Sequence, residues 1–88
     1  MFSPQMLEQM LLAHVRRNVP EAERVEADTD LLALGVLDSL MVADLFVFLE
    51  TKLGVTLNAS DVTPQNFRTI QRLALLAASK QHKLSKAA

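Results

Sequence analysis

Asp38 and Ser39 are the residues whose side chains offer chemistry at a defined place in this chain. They stand between Gly35 and a long apolar-rich run that begins at Leu40 and reaches about Leu53. A glycine ending one apolar turn, then a polar pair, then a helical run puts Ser39 at a loop-to-helix junction. Serine suits that junction because its oxygen can accept from an orphan backbone N–H of the first turn. Two readings follow: a plain N-cap, or an exposed hydroxyl at which another group is attached. A serine hydroxyl is a weak nucleophile near neutral pH unless something activates it. No adjacent base is apparent, so attachment requires a second protein. Asp38 is read as able to share the cap.

The rest of the sequence offers no self-sufficient catalyst. It has no metal cluster, no glycine-rich phosphate loop and no serine with a histidine in a triad context. The two histidines, His14 and His82, lie near opposite ends of the chain. His14 has no second histidine or carboxylate at metal spacing and is expected to be half-buried and structural; His82 is expected at the surface. There is no cysteine, hence no disulfide framework and no thiolate metal site. The net charge of −1 argues against nucleic acid, whose binding draws most of its affinity from a basic face. It also makes long-range charge a poor steering device. The longest apolar run, Leu45 to Leu49, is far too short to span a membrane. No secretory signal is seen, and a cytoplasmic monomer is expected.

Eighty-eight residues make one small domain, and a chain of this size buries only about three-fifths of its unfolded surface. Its helices must be economical. Ser3-Pro4 opens the first, with serine as cap and proline at the first helical position. Leu7, Met10, Leu11, His14 and Val15 share one face at i, i+3, i+4 spacing, and Asn18-Val19-Pro20 stops the helix. A long acidic loop follows, from Pro20 to Thr29, bearing Glu21, Glu23, Glu26 and Asp28. Asp28 or Thr29 is placed as the cap of a short turn, Asp30 to Leu34, pinned by Leu31, Leu32 and Leu34 and ended by Gly35.

The second long helix, Leu40 to about Leu53, directs Met41, Val42, Leu45, Phe46, Phe48, Leu49 and Leu53 to one broad side. Leu40, Ala43, Asp44, Val47, Glu50 and Thr51 fall on the opposite arc. Leu40 and Val47 are apolar residues among polar ones on the Ser39 side. They are read either as scattered surface residues, which are normal, or as a small docking face flanked by Asp44 and Glu50. Gly54 ends this helix, and Val55-Thr56-Leu57 is a short inward-tucked link with no partner strand. Thr63-Pro64 starts a short helical turn carrying Phe67. Thr69 is placed to cap the last helix, whose stripe is Ile70, Leu73, Ala74, Leu76 and Ala77, with Arg68, Arg72 and Lys80 toward solvent. The domain is assigned to residues 1–80, with 81–88 a flexible, frayed tail. The expected fold is all-α, a four-helix bundle of three long helices and one short one with a long first loop.

The segment Asp28-Thr29-Asp30-Leu31-Leu32-Ala33-Leu34-Gly35-Val36-Leu37-Asp38-Ser39-Leu40 resembles the modification segment of acyl and peptidyl carrier proteins. Agreement extends from the first helix through Thr63-Pro64-Gln65-Asn66-Phe67 to the last helix. Two residues, Val36 and Leu37, separate Gly35 from Asp38, a spacing similar to that of D-alanyl carrier proteins and other free-standing carriers of amino acids or unusual acyl groups. The resemblance implies 4′-phosphopantetheine on Ser39, installed from coenzyme A by a phosphopantetheinyl transferase with Mg²⁺, which Asp38 contacts. It implies a loading enzyme, adenylating or acyl-transferring, and downstream biosynthetic enzymes that meet Leu40, Ala43, Asp44, Val47 and Glu50. The implied protein is a carrier of a thioester and not an enzyme. The alternative is an unmodified helical adaptor that binds a partner through its second helix.

Overall fold

The computed structural model describes residues 2–19, 24–35 and 37–87. Pro20, Glu21 and Glu23, Val36 and the side chain of His82 lie outside the described residues, and so do the expectations placed on them. Three long helices dominate: α1 (Pro4–Asn18), α3 (Ser39–Lys52) and α5 (Ile70–Ala87). Two single-turn helices, α2 (Leu31–Leu34) and α4 (Pro64–Phe67), and a 3₁₀ turn (Ala59–Asp61) join them. No strand occurs among the described residues. The all-α bundle is as expected, with the turn before Gly35 closing as a second short helix.

Each start is fixed by a polar side chain. Ser3 caps α1 by accepting from the Met6 N–H, and Thr63 caps α4 by accepting from the Asn66 N–H. Thr69 Oγ1 accepts from the Arg72 N–H at 3.1 Å, as its position before Ile70 suggests. At α2 the cap is Asp30, not Asp28 or Thr29: Oδ1 takes the Leu32 and Ala33 N–H groups at 3.0 and 3.1 Å. Thr29 instead turns back to accept from the Glu26 N–H. Gly35 closes α2 in the left-handed region (φ 76°), where a side chain would be strained even though the space beside it is open.

The core is one cluster. Leu7, Leu11 and Val15 of α1, Leu45 and Leu49 of α3, and Ile70, Leu73 and Ala77 of α5 are all buried. Phe67 closes one side, and Val55 and Leu57 tuck in from the link after α3 without forming a sheet. α1 packs chiefly on α5. In α2 only Leu31 reaches the core; Leu32 and Leu34 are exposed, because one helical turn presents a single face.

The long first connection is tied down at both ends of its described part. Arg16 donates from Nε and Nη2 to the Val25 carbonyl, whose side chain is buried, and reaches Glu26. The Gln71 N–H donates to the Ala27 carbonyl and the Leu31 N–H to the Arg68 carbonyl. Lys80 does not simply face solvent: it pairs with Asp61 at 2.9 Å, holding the 3₁₀ turn to α5. The helix also continues past Lys80 to Ala87. Gln81, expected in the frayed tail, is buried, accepts from the Phe2 N–H and donates to the Phe2 carbonyl.

Asp30 joins two of these ties, since Oδ2 also meets Arg68 Nε at 2.9 Å. The Ala33 N–H first, then Arg68, hold its carboxyl below the usual value of 3.8. A carboxyl lowered in the folded state stabilises above its unfolded pKa, and that contribution disappears as pH falls through the folded value. Asp30→Asn keeps a capping oxygen but removes the charge. Its melting temperature should therefore lie below wild type at pH 6, and the gap should narrow as pH drops below about 3.8.

Candidate functional site

α3 begins where α2, α4 and the end of α1 converge. The cap is Asp38 and not Ser39, which corrects the simpler expectation. Asp38 has extended backbone (φ −110°, ψ −180°), and its Oδ1 accepts from the Met41 N–H at 2.8 Å. Its carbonyl takes the Val42 N–H at 2.9 Å. Ser39 is consequently the first residue inside the helix and is exposed. Among the described residues none hydrogen-bonds its hydroxyl. The acid takes the capping work and leaves the alcohol accessible.

Beside Ser39 runs a groove of about 230 Å³ between α3 and α4. Leu32, Leu37, Val42, Val62, Pro64 and Phe67 make its walls, and Asp38, Ser39 and Thr63 supply its polar rim. On the other side of α3, a wider cleft of about 550 Å³ lies against the end of α1 and brings Asn18, Val19, Leu34, Leu40 and Met41 together with Asp38 and Asp44.

The five residues singled out on the outer arc of α3 all emerge on the surface. Leu40 is 79% exposed and Val47 54%, and Ala43, Asp44 and Glu50 are exposed with them. Leu34, with 52% exposed, adds an apolar neighbour from α2. On the inner side Met41, Leu45 and Leu49 are buried, while Phe46 and Phe48 are half-buried.

One contact escaped sequence reasoning. His14 does meet a carboxylate: its Nε2 lies 2.6 Å from Asp44 Oδ2, across the α1–α3 interface. The imidazole stacks on Phe48 with ring centroids 3.9 Å apart. Asn18 Nδ2 donates to the His14 carbonyl at 2.8 Å and lies 3.3 Å from Nδ1. The available signal was a pair of helical spacings, His14 with Asn18 and Asp44 with Phe48, each four apart. Nothing local said that these two edges face each other. His14 keeps 14% of its side chain exposed, so the half-buried structural role stands, now with a named partner.

Residues 10–76 match the family model described as "Phosphopantetheine attachment site". A relative named "Probable acyl carrier protein PigG", from Serratia sp. (strain ATCC 39006), is 31% identical over 80 residues, covering 88% of this chain and 92% of its own length. The site fits the group that family is named for. A group attached through the hydroxyl of the first residue of a 14-residue helix would have its phosphodiester at the positive end of that helix.

The division of labour between Asp38 and Ser39 has a thermodynamic signature. Asp38→Ala removes the cap and should lower unfolding stability by about 1 kcal/mol. Ser39→Ala should stay within about 0.5 kcal/mol of wild type, as for a surface position without partners. Urea unfolding followed by circular dichroism compares the two.

Proposed function

The chain belongs to the phosphopantetheine attachment-site family of carrier proteins, and on that footing we propose that it is a free-standing carrier modified at Ser39. As a family member it is a carrier and not a catalyst. The observation that carries the choice of residue is the exposed Ser39 hydroxyl, without a hydrogen-bond partner among the described residues, beside a carboxylate that already serves as cap. In the transfer, Ser39 Oγ forms a bond to the phosphorus of the pantetheine phosphate of coenzyme A. The bond from that phosphorus to the nucleotide phosphate breaks, and adenosine 3′,5′-bisphosphate leaves. The serine proton passes to a base of the phosphopantetheinyl transferase. Such chemistry is governed by positioning and charge neutralisation, which the transferase and its Mg²⁺ supply. With its first oxygen on the Met41 N–H, Asp38 keeps a second oxygen whose proposed role is to assist that enzyme and its metal.

The cargo is a short acyl or aminoacyl group held as a thioester on the arm's terminal thiol. The groove beside Ser39 is walled by apolar side chains of α2, α3 and α4, which suits a cargo with an apolar part. The Gly35-Val36-Leu37-Asp38-Ser39-Leu40 spacing supports the same reading. An adenylating or acyl-transferring enzyme loads it, and downstream biosynthetic enzymes collect it. These partners meet α3 through Leu40, Ala43, Asp44, Val47 and Glu50. With a net charge of −1, apolar contact is the main recognition device on this face. No helix among the described residues is long and apolar enough to cross a membrane. The carrier is proposed to act as a cytoplasmic monomer.

Incubation with coenzyme A and a promiscuous phosphopantetheinyl transferase should add one phosphopantetheine mass to the wild type and none to Ser39→Ala, read by intact mass spectrometry. A wild type that gains no mass would point instead to an unmodified helical adaptor, and gain in both proteins would move the attachment elsewhere. Val47→Glu should lower the transfer rate about tenfold or more at limiting carrier concentration, with far-UV circular dichroism unchanged. Loss of helicity in that variant would place Val47 in the core and not on the docking face.

A further inference from the structure

α3 has a second exposed edge, turned toward α1 and distinct from the arc of Leu40 and Val47. Between the two helices lies a cleft of about 410 Å³ lined by Met10, Ala13, His14, Arg17, Phe48 and Lys52. The stacked His14 and Phe48 rings sit within this lining. Arg17 and Lys52 are both exposed, and neither pairs with an acid among the described residues. Among the described residues no carboxylate lines the cleft, and the neighbouring Asp44 is held by His14.

The apolar part of this surface is longer than the cleft itself. Met6, Met10, Ala13 and Arg17 follow at i, i+4, i+7 and i+11, one stripe of α1. Met6 is half exposed although it is a large apolar residue. Methionines are unbranched and adapt to varied partners. Two methionines, an aromatic stack and two exposed cations form a surface that is apolar along its length and positive at its edges. Cations close to an apolar wall are complementary to a segment that alternates carboxylates with large apolar side chains.

We propose that the α1–α3 cleft is a second contact for the enzyme that docks on α3, and that it takes a carboxylate-bearing apolar segment of that enzyme. The inference rests on the carrier reading and extends its interface. Exposed Asp44 and Thr51 lie between Val47 and Phe48 around α3, so one partner surface can span both edges. The chemistry asked of the partner is specific. It presents an apolar patch to Leu40 and Val47 and acidic groups to Arg17 and Lys52, where a carrier recognised by charge through its own acids would meet a basic partner.

The test uses the full chain with Ser39 unmodified, uniformly ¹⁵N-labelled, titrated with the peptide acetyl-Glu-Phe-Leu-Glu-amide. Amide shifts should concentrate at Ala13, Arg17, Phe48 and Lys52 and saturate. The charge-swapped peptide acetyl-Lys-Phe-Leu-Lys-amide should leave those amides in place. Arg17→Glu with Lys52→Glu should weaken the acidic peptide about tenfold or more. Arg17→Gln with Lys52→Gln, checked by circular dichroism, serves if the charge swap disturbs folding. Shifts that are absent, spread over the whole protein, or equal for the two peptides overturn the proposal. Because Ser39 is unmodified throughout, failure here leaves the attachment assay standing, and failure of attachment leaves this titration readable.

Discussion

A helix must find acceptors for its first N–H groups, and at the start of α3 that requirement is met by a carboxylate one residue before the serine. Had Ser39 been the cap, its hydroxyl oxygen would be engaged as an acceptor and turned toward the backbone. With Asp38 on the Met41 N–H, the serine becomes the first helical residue and is exposed. The site's chemistry follows from that shift of one position. An anion attached at Ser39 also inherits the uncompensated positive end of a 14-residue helix.

The remaining architecture serves to keep that helix end in place. Met41, Leu45 and Leu49 fix the rotation of α3, because turning it would expose three buried side chains. Once the rotation is fixed, Leu40 and Val47 have no choice but to face out. The approach to Ser39 is framed by two single-turn helices that could not persist alone. α2 is held by Asp30, by the Leu31–Arg68 backbone bond and by the buried Leu31. α4 is held by its Thr63 cap and by Phe67, which enters the core. The clamp of His14 on Asp44 and Phe48 ties the middle of α3 to α1.

Much of this was legible in the chain. Periodicity alone gave the buried faces of α1, α3 and α5, and the polar arc of α3 emerged where a 100° step puts it. Capping chemistry placed Ser3, Thr63 and Thr69 correctly. It erred at Thr29-Asp30 and left Asp38-Ser39 open, since where two capping residues stand side by side both types accept the same bonds and local sequence cannot choose between them. Contacts between distant positions were invisible for a different reason. His14 with Asp44, Lys80 with Asp61 and Gln81 with Phe2 depend on how the helices are laid against one another, which no local pattern encodes. Gln81 shows the cost of reading polarity as exposure: its amide satisfies both backbone groups of Phe2, and so it is buried without loss.

The Gln81–Phe2 bridge also settles the geography of the molecule. It draws the opening of α1 against the late part of α5, while the far end of α1, 15 residues or about 22 Å away, lines the cleft beside Asp38. Polypeptide spliced onto either extremity therefore departs from the pole opposite Ser39. Such a layout lets one module be strung between others, or left untethered, with the same hemisphere open to visiting enzymes.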